Sequence, residues 1–294
     1  MRIATLSIAG VDQPVIVSAD GFSFCPVAQA LPGFLGDVVD LIERMPHASL
    51  PVGAVVNWTP IAGHVLLAPI PRPRRNIFCV GKNYHEHAKE FAQSGFDTSA
   101  AQGETAPEFP VVFTKAPSAV VADQAPVLAF ADLTQQLDYE AELAVVIGKS
   151  GRGISQAAAF EHVWGYTIVN DVTARDLQQK HRQWFLGKSM DSFCPMGPWI
   201  VTADEVGDPA DLDVSCWING ELRQSANTRD LIFDIPTIIA TISAGITLLP
   251  GDIIATGTPA GVGIGFKPPK FLRAGDTMRI SITRLGTLSN TIRD

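Results

Sequence analysis

The stretch from residue 137 to residue 147 constrains the fold most strongly, because apolar and acidic residues alternate along it. Every odd position is apolar, and Asp138, Glu140 and Glu142 lie between the first of these positions. Successive side chains of a strand point to opposite faces. The pattern therefore predicts a strand with an apolar face against a core and three carboxylates on its other face.

Neighbouring carboxylates on one strand face repel each other unless water or a cation relieves them. Both a solvated face and a metal site are compatible with this pattern. A third metal ligand is available from Asp171, which follows the strand-like run 163–169. Asp171 is interpreted either as the N-cap of a short helix, which uses one carboxylate oxygen, or as a metal ligand.

A candidate general base lies in the segment from Gly81 to Phe91, whose later residues favour a helix. His87 and Glu90 are three positions apart and would share a helix face. A carboxylate beside an imidazole orients the ring and raises its basicity, as activation of water requires. One alternative is a solvated helix face. Another is a cupin-like strand on which His85 and His87 bind metal, but the spacing to Glu90 is short for that pattern.

Five separated motifs occur in a fixed order, which is more specific than any single motif. They are Gly81-Lys82-Asn83-Tyr84 followed by His87 and Glu90, then Glu140-Ala141-Glu142, Asn170-Asp171 through Gln178, Gly187-Lys188-Ser189 and Thr256-Gly257-Thr258-Pro259. This set resembles the fumarylacetoacetate hydrolase family, and the resemblance covers roughly Arg74 to the C-terminus.

The resemblance implies catalytic roles for three residues. His87 and Glu90 would form the catalytic dyad, and Lys188 would place positive charge where an enolate or carboxylate oxygen lies. Arg175 is interpreted as structural. Four further residues are expected to contact substrate: Lys82, Tyr84, Gln178 and Thr258. Lys82 stands where relatives commonly have arginine.

A metal cofactor is also expected. Glu140, Glu142 and Asp171 together form a hard oxygen site, which suits Mg²⁺ or Mn²⁺ with positions left for a chelating substrate. The substrate would be a small oxo or diketo acid.

The chain is predicted to be an α+β protein, and the resemblance implies a mixed β-sandwich roll of the family type after a small β-rich N-terminal domain. The proline-rich run Pro69–Arg75 favours an extended backbone, so the boundary is placed between domains of residues 1–72 and 73–294. Residues 92–110 are interpreted as a loop, either a lid or a surface decoration, and the resemblance implies that it closes over the site. The aromatic residues between Trp184 and Trp199 are expected in the core.

Three local signals predict individual elements. Asp37 and Asp234 each precede apolar residues at helical spacing and are expected to be helix N-caps. Asn219-Gly220 accepts positive φ and predicts a two-residue hairpin.

Composition excludes several function classes. Acidic residues outnumber basic ones by 30 to 22, which argues against binding to nucleic acid or an anionic membrane surface. The four cysteines lack metal-site or disulfide spacing, and no apolar run is long enough to span a bilayer. We therefore expect a cytoplasmic protein, and the resemblance adds the expectation of a homodimer.

The resemblance implies a metal-dependent hydrolase that cleaves a C–C bond in a 1,3-diketo acid of the acylpyruvate or fumarylpyruvate type, within aromatic compound catabolism. Decarboxylation of oxaloacetate and isomerisation of a 2-hydroxy-dienedioate are alternatives that use the same site without an attacking water. A binding module that has lost catalysis is a third, and the presence of His87 and Glu90 argues against it.

Overall fold

A computed structural model describes residues 1–47, 57–93 and 106–294 of the chain. The predicted α+β class is confirmed, because several sheets are combined with short helices. Residues 94–105 of the predicted lid lie outside the described residues.

The described residues form nineteen strands. In chain order these are β1 (Arg2–Ile8), β2 (Val11–Val17), β3 (Ser23–Pro26), β4 (Thr59–Pro60), β5 (Val65–Leu67), β6 (Ile77–Gly81), β7 (Val111–Lys115), β8 (Val120–Val121), β9 (Pro126–Leu128), β10 (Leu137–Asp138), β11 (Ala141–Ile147), β12 (Val163–Asn170), β13 (Thr173–Ala174), β14 (Cys194–Thr202), β15 (Asp213–Ile218), β16 (Glu221–Asn227), β17 (Ile253–Ala255), β18 (Thr277–Ile282) and β19 (Gly286–Arg293).

The same residues form seven α-helices and four short 3₁₀ helices. The α-helices are α1 (Val27–Ala30), α2 (Val38–Arg44), α3 (His85–Gln93), α4 (Arg175–Lys180), α5 (Phe185–Lys188), α6 (Ala203–Val206) and α7 (Ile235–Ser243). The 3₁₀ helices are Pro117–Ala119, Gln156–His162, Thr228–Asp230 and Gly263–Gly265.

Twelve strands form one large sheet. Ten of them follow the order β4-β3-β2-β1-β14-β12-β11-β17-β6-β7, while β5 pairs with β1 and β8 with β14. A five-stranded sheet has the order β16-β15-β18-β19-β9, and β10 pairs with β13. Because β1 pairs antiparallel with β14, the N-terminal strands continue the sheet of the rest of the chain. The predicted domain boundary at residue 72 stays a prediction.

Strand β11 lies in the middle of the large sheet and is buried on both faces. Leu143 and Val145 belong to the core shared with the five-stranded sheet. Ala144 and Val146 pack on the opposite side in the core that contains helix α2. The solvated alternative for the acidic face is therefore wrong, because Asp138, Glu140 and Glu142 are buried as well. The predicted continuous strand is also interrupted at Tyr139 and Glu140, between β10 and β11.

The three local signals are confirmed. Asp37 accepts a hydrogen bond from Asp40 N–H in a capping box at the start of α2, and Asp234 accepts one from Thr237 N–H at the start of α7. Asn219 lies at the turn between β15 and β16 with φ of 51°. Within the described ranges, the helices are too short or too polar to cross a bilayer.

Candidate active site

Three buried carboxylates meet where β11 begins and β12 ends. Oxygen atoms of Glu140, Glu142 and Asp171 lie within 4.8 Å of one another. The antiparallel pairing of β11 with β12 brings them together, because it sets Ala141 opposite Asn170. The Asp171 N–H then donates to the Glu140 carbonyl oxygen at 2.9 Å, and the Glu140 N–H donates to Asn170 Oδ1 at 3.0 Å.

Two buried lysines neutralise part of this charge. Lys188 Nζ lies 2.7 Å from both Glu140 Oε2 and Asp171 Oδ2. Lys115 Nζ lies 2.5 Å from Asp171 Oδ1 and donates to the Val172 carbonyl oxygen at 3.1 Å. It also donates to the Lys188 carbonyl oxygen, so it fixes the backbone that carries the second lysine.

The three carboxylates do not share these cations equally. Burial alone would raise the pKa of Glu140, but Lys188 and Arg175 outweigh it and hold that pKa at about 2. Burial, together with the nearby Asp171 and Glu140, raises the pKa of Glu142 well above its usual range. Glu142 accepts a backbone hydrogen bond from Gly257 N–H at 2.9 Å. Of the three carboxylates, it is the one whose negative charge is least compensated.

Arg175 is part of the site rather than merely structural. Its Nη2 lies 2.7 Å from Glu140 Oε1, and its Nε donates to Asp138 Oδ2 at 2.9 Å. Asp138 therefore does not share a carboxylate face with Glu140 and Glu142, as the alternation predicted. The interruption of the strand turns Asp138 towards the backbone N–H groups of Gly263 and Ile264, which lie 2.6 and 3.2 Å from its oxygens.

The N-cap interpretation of Asp171 is wrong. Helix α4 begins at Arg175, and Ala174 occupies its N-cap position without a side-chain hydrogen bond. Asp171 instead directs one oxygen to Lys115 and the other to Lys188.

The predicted dyad is formed on helix α3. His87 Nδ1 lies 3.2 Å from Glu90 Oε2, and His87 is buried. Both Glu90 oxygens also accept from Gly261 N–H, at 3.0 and 3.2 Å. If Nδ1 is the protonated ring nitrogen that faces Glu90, Nε2 is left as the basic atom. The cupin-like alternative is wrong, because His85 and His87 lie on a helix.

One cavity joins the dyad to the carboxylates. It is lined by His87, Glu140, Glu142, Lys188, Arg175, Lys82, Gln178, Thr258, Val80, Gly81, Phe91, Phe113 and Trp184. The last three form an aromatic wall, in which the ring centroids of Phe113 and Trp184 are 5.1 Å apart. Trp184 was expected in the core and instead faces this cavity.

Three of the four residues expected to contact substrate line this cavity, and the fourth does not. Lys82, Gln178 and Thr258 line the cavity. The Thr258 hydroxyl donates to the Ala141 carbonyl oxygen at 3.1 Å and accepts from Gln224 at 2.8 Å, so it also supports the backbone. Tyr84 is buried and lines a separate cavity.

Sequence reasoning missed Lys115 and misjudged Arg175 and Trp184. The one available signal for Arg175 was its spacing of three residues from Gln178, to whose Oε1 it donates at 3.2 Å. A lysine at the end of an apolar strand such as β7 gives no comparable signal, since it normally reaches solvent.

The donor set fits a hard divalent cation. All three groups are carboxylates, and Mg²⁺ and Mn²⁺ prefer oxygen ligands. Lys188 contacts Glu140 and Asp171 directly, whereas Glu142 accepts from the neutral Gly257 N–H, so a bound cation would compensate the charge of Glu142.

Comparison with known proteins decides the family. A model described as fumarylacetoacetate (FAA) hydrolase C-terminal matches residues 76–293. This chain belongs to the fumarylacetoacetate hydrolase family. The resemblance inferred from the five motifs is thereby confirmed, and the chain is a member of an enzyme superfamily whose members are typically dependent on a divalent metal.

Relatives within the family carry several activities. The chain is 55% identical over 227 residues to oxaloacetate tautomerase YisK of Bacillus subtilis, covering 77% of this chain and 72% of the relative. A fumarylacetoacetate hydrolase from Exiguobacterium antarcticum superimposes with a TM-score of 0.85 at 44% identity, covering 100% and 99% of the two chains. A 5-carboxymethyl-2-hydroxymuconate delta-isomerase from Mycobacterium smegmatis does so with a TM-score of 0.76 at 35% identity, covering 100% and 98%.

Proposed function

We propose that this protein catalyses the keto–enol tautomerisation of oxaloacetate or a closely similar 2-oxo dicarboxylate, with Mg²⁺ or Mn²⁺ as cofactor. The observation that carries the reaction class is that one cavity is lined by Glu140, Glu142, Lys188 and His87 together. The choice of substrate is supported by the 55% identity to an oxaloacetate tautomerase.

The charge of the cavity supports a dianionic substrate. Within the buried cluster, four carboxylates (Asp138, Glu140, Glu142 and Asp171) face three cationic side chains (Lys115, Arg175 and Lys188). A divalent cation would reverse the resulting negative charge, and Lys82 adds a further positive charge at the cavity wall. Such a site favours a dicarboxylate electrostatically.

Glu140, Glu142 and Asp171 would hold the metal, which would polarise the 2-oxo group and acidify the adjacent carbon. His87, oriented by Glu90, removes a proton from C3 of the substrate. Lys188 stabilises the negative charge that develops on the C2 oxygen, and transfer of a proton from the imidazolium of His87 to that oxygen gives the enol and restores the neutral base. The aromatic wall of Phe91, Phe113 and Trp184 limits access of water to the reacting carbon.

C–C bond hydrolysis of a 1,3-diketo acid, of the acylpyruvate or fumarylpyruvate type, is the second candidate. The observation that favours it is the 3.2 Å contact between His87 and Glu90, since a dyad of this kind can activate water as well as remove a carbon-bound proton. Oxaloacetate decarboxylation and 2-hydroxy-dienedioate isomerisation would use the same carboxylates and Lys188, and the similarity to a muconate isomerase supports the latter.

A direct experiment follows the ultraviolet absorbance of enol oxaloacetate after metal-depleted protein is supplied with Mg²⁺ or Mn²⁺. Pyruvate release and cleavage of acylpyruvates are measured in parallel. We expect faster loss of the enol without matching pyruvate release, and a fall of about 100-fold or more in His87→Ala. If the protein cleaves acylpyruvates but does not change the rate at which enol oxaloacetate is lost, the tautomerase proposal is wrong and the hydrolase proposal replaces it.

Decarboxylation is separated from these reactions by variants. Its leaving group is CO₂, so it requires no base, and His87→Ala should impair it less than tautomerisation or hydrolysis. Lys188→Met should impair all three, because each develops negative charge on the same oxygen.

Two further features belong to the proposal. We expect a homodimer on family grounds, to be tested by sedimentation velocity. A cytoplasmic location is supported by four buried cysteines that form no disulfide.

A further inference from the structure

The Gly261–Gly265 segment lies directly against the catalytic carboxylate of Glu90. Gly261 N–H donates to both Glu90 oxygens. At Gly265 the contact is closer still, because a Cβ placed there would lie 1.8 Å from Glu90 Oε1 and 2.2 Å from Cδ. The position of the carboxylate, and hence its 3.2 Å contact with His87, depends on where this segment lies.

Two adjacent side chains hold the segment from the other side. The Tyr139 hydroxyl donates to the Gly261 carbonyl oxygen at 2.8 Å. Asp138 accepts from the N–H groups of Gly263 and Ile264, at 2.6 and 3.2 Å. Each residue therefore binds a different part of the segment.

Asp138 is suited to this role by its burial and its partners. Its side chain is fully buried, and its oxygens also accept from Tyr139 N–H and Arg175 Nε, both at 2.9 Å. Four donors on one carboxylate fix its orientation. A Cβ at Gly263 would lie 2.6 Å from Asp138 Oδ1, so glycine at that position permits the close contact.

We propose that Asp138 and Tyr139 are positioning residues, which act through the Gly261–Gly265 segment to hold Glu90 against His87. Neither residue lines the cavity. Glu140, the next residue along the chain, does line the cavity. The inference rests on the proposed function, because it assumes that the dyad acts as the base.

Gly265→Ala tests whether the position of this segment sets that of Glu90, and Tyr139→Phe tests the residue that holds the segment. Gly265 lacks a positive φ, so alanine is compatible with its backbone, and the atoms that must move belong to the flexible end of Glu90. We expect kcat to fall by about 10- to 100-fold, as is typical when a residue that orients an active-site group is changed. KM and metal affinity should change by less than about twofold. Gly245→Ala is the matched control, since a Cβ there meets nothing within 4 Å.

Tyr139→Phe removes one hydrogen bond and keeps the ring. We expect a smaller fall in kcat, of about fivefold, corresponding to a single neutral hydrogen bond. Asp138→Asn should be more severe because an amide cannot accept from all four donors. That variant also disturbs Arg175, so the conclusion depends on the other two.

A double-mutant cycle with Glu90→Gln distinguishes positioning from a general structural effect. If the segment acts through Glu90, Gly265→Ala and Tyr139→Phe should cause little further loss of kcat in the Glu90→Gln background. The inference is overturned, and the proposed function stands, if their effects multiply with that of Glu90→Gln, if Gly265→Ala behaves like Gly245→Ala, or if Tyr139→Phe leaves kcat unchanged. If Glu90→Gln alone leaves kcat unchanged, the dyad is not the base, and both the proposed mechanism and this inference fail.

Discussion

Replacement of Glu142 by glutamine should affect the metal-free and metal-bound protein in opposite directions. Glu142 is buried beside Asp171 and Glu140, and its raised pKa reflects both the burial and the repulsion. Glutamine has nearly the same size and can still accept from Gly257 N–H. We therefore expect Glu142→Gln to stabilise the metal-free protein and to weaken metal binding.

The magnitude follows from the distance between the carboxylates. Two unit charges 4.8 Å apart repel by roughly 3 kcal/mol at an effective dielectric constant of about 20. Lys188 offsets part of this repulsion, so a net gain on the order of 1–3 kcal/mol is expected, or about 2–4 °C in Tm for each kcal/mol. Metal affinity should fall by more than about 100-fold. Mutation of a residue that only hydrogen-bonds to a metal ligand typically lowers metal affinity about 10- to 100-fold, and Glu142 is itself a proposed ligand.

The gain should depend on pH in a defined direction. A carboxyl group whose pKa is raised by folding stabilises the protein at a pH below its unfolded value, near 4.5, and that contribution is lost as the pH rises. The advantage of Glu142→Gln in chelator should therefore grow as the pH rises above about 4.5, and it should level off once Glu142 is ionised in the folded protein. Metal binding to the wild type should release a proton over the same range.

Thermal unfolding of both proteins, in chelator and in Mg²⁺ at a hundred times its Kd for the wild type, gives the comparison. Metal at that concentration should stabilise the wild type by about 2.7 kcal/mol and the variant hardly at all. Calorimetric titration checks the affinities directly. A variant that is less stable in chelator and keeps its metal-induced shift would refute the reasoning about charge at this site.

Two further substitutions examine the same cluster. Asp171→Asn should abolish metal binding and lower the Tm of the metal-free protein, because Lys115 and Lys188 both lose an anionic partner; unchanged metal affinity by calorimetry would contradict its assignment as a ligand. Lys115→Met should lower the free energy of unfolding by about 3–5 kcal/mol, as expected when a buried carboxylate loses a partner, and urea denaturation measures this loss directly.

The sequence predicted the elements of the fold wherever local chemistry decides them. The caps at Asp37 and Asp234 and the turn at Asn219-Gly220 require only neighbouring backbone groups, so they could be read from a few residues. The burial of both faces of β11 could not be predicted from neighbouring residues, because it depends on the distant helix α2 and on the five-stranded sheet.

The site shows the same division. The spacing of His87 and Glu90 on a helix is local, and the contact was predicted correctly. The separation of Asp138 from Glu140 was not predicted. A two-residue period assumes an uninterrupted strand, and the backbone between β10 and β11 is not a regular strand. Lys115 was missed because its partner, Asp171, is 56 positions away along the chain.

Arg175 joins the two halves of this site, because one guanidinium contacts both Asp138 and Glu140. Its Nε faces the carboxylate that holds the Gly261–Gly265 segment, and its Nη2 faces the carboxylate of the metal cluster. Lysine keeps the charge but lacks the planar fork, so Arg175→Lys can approach only one of the two partners closely. We expect metal affinity and kcat to fall together, whereas Gly265→Ala lowers kcat alone. Calorimetry and steady-state kinetics on both variants test this difference, and an Arg175→Lys protein with normal metal affinity would show that the two carboxylates are held independently.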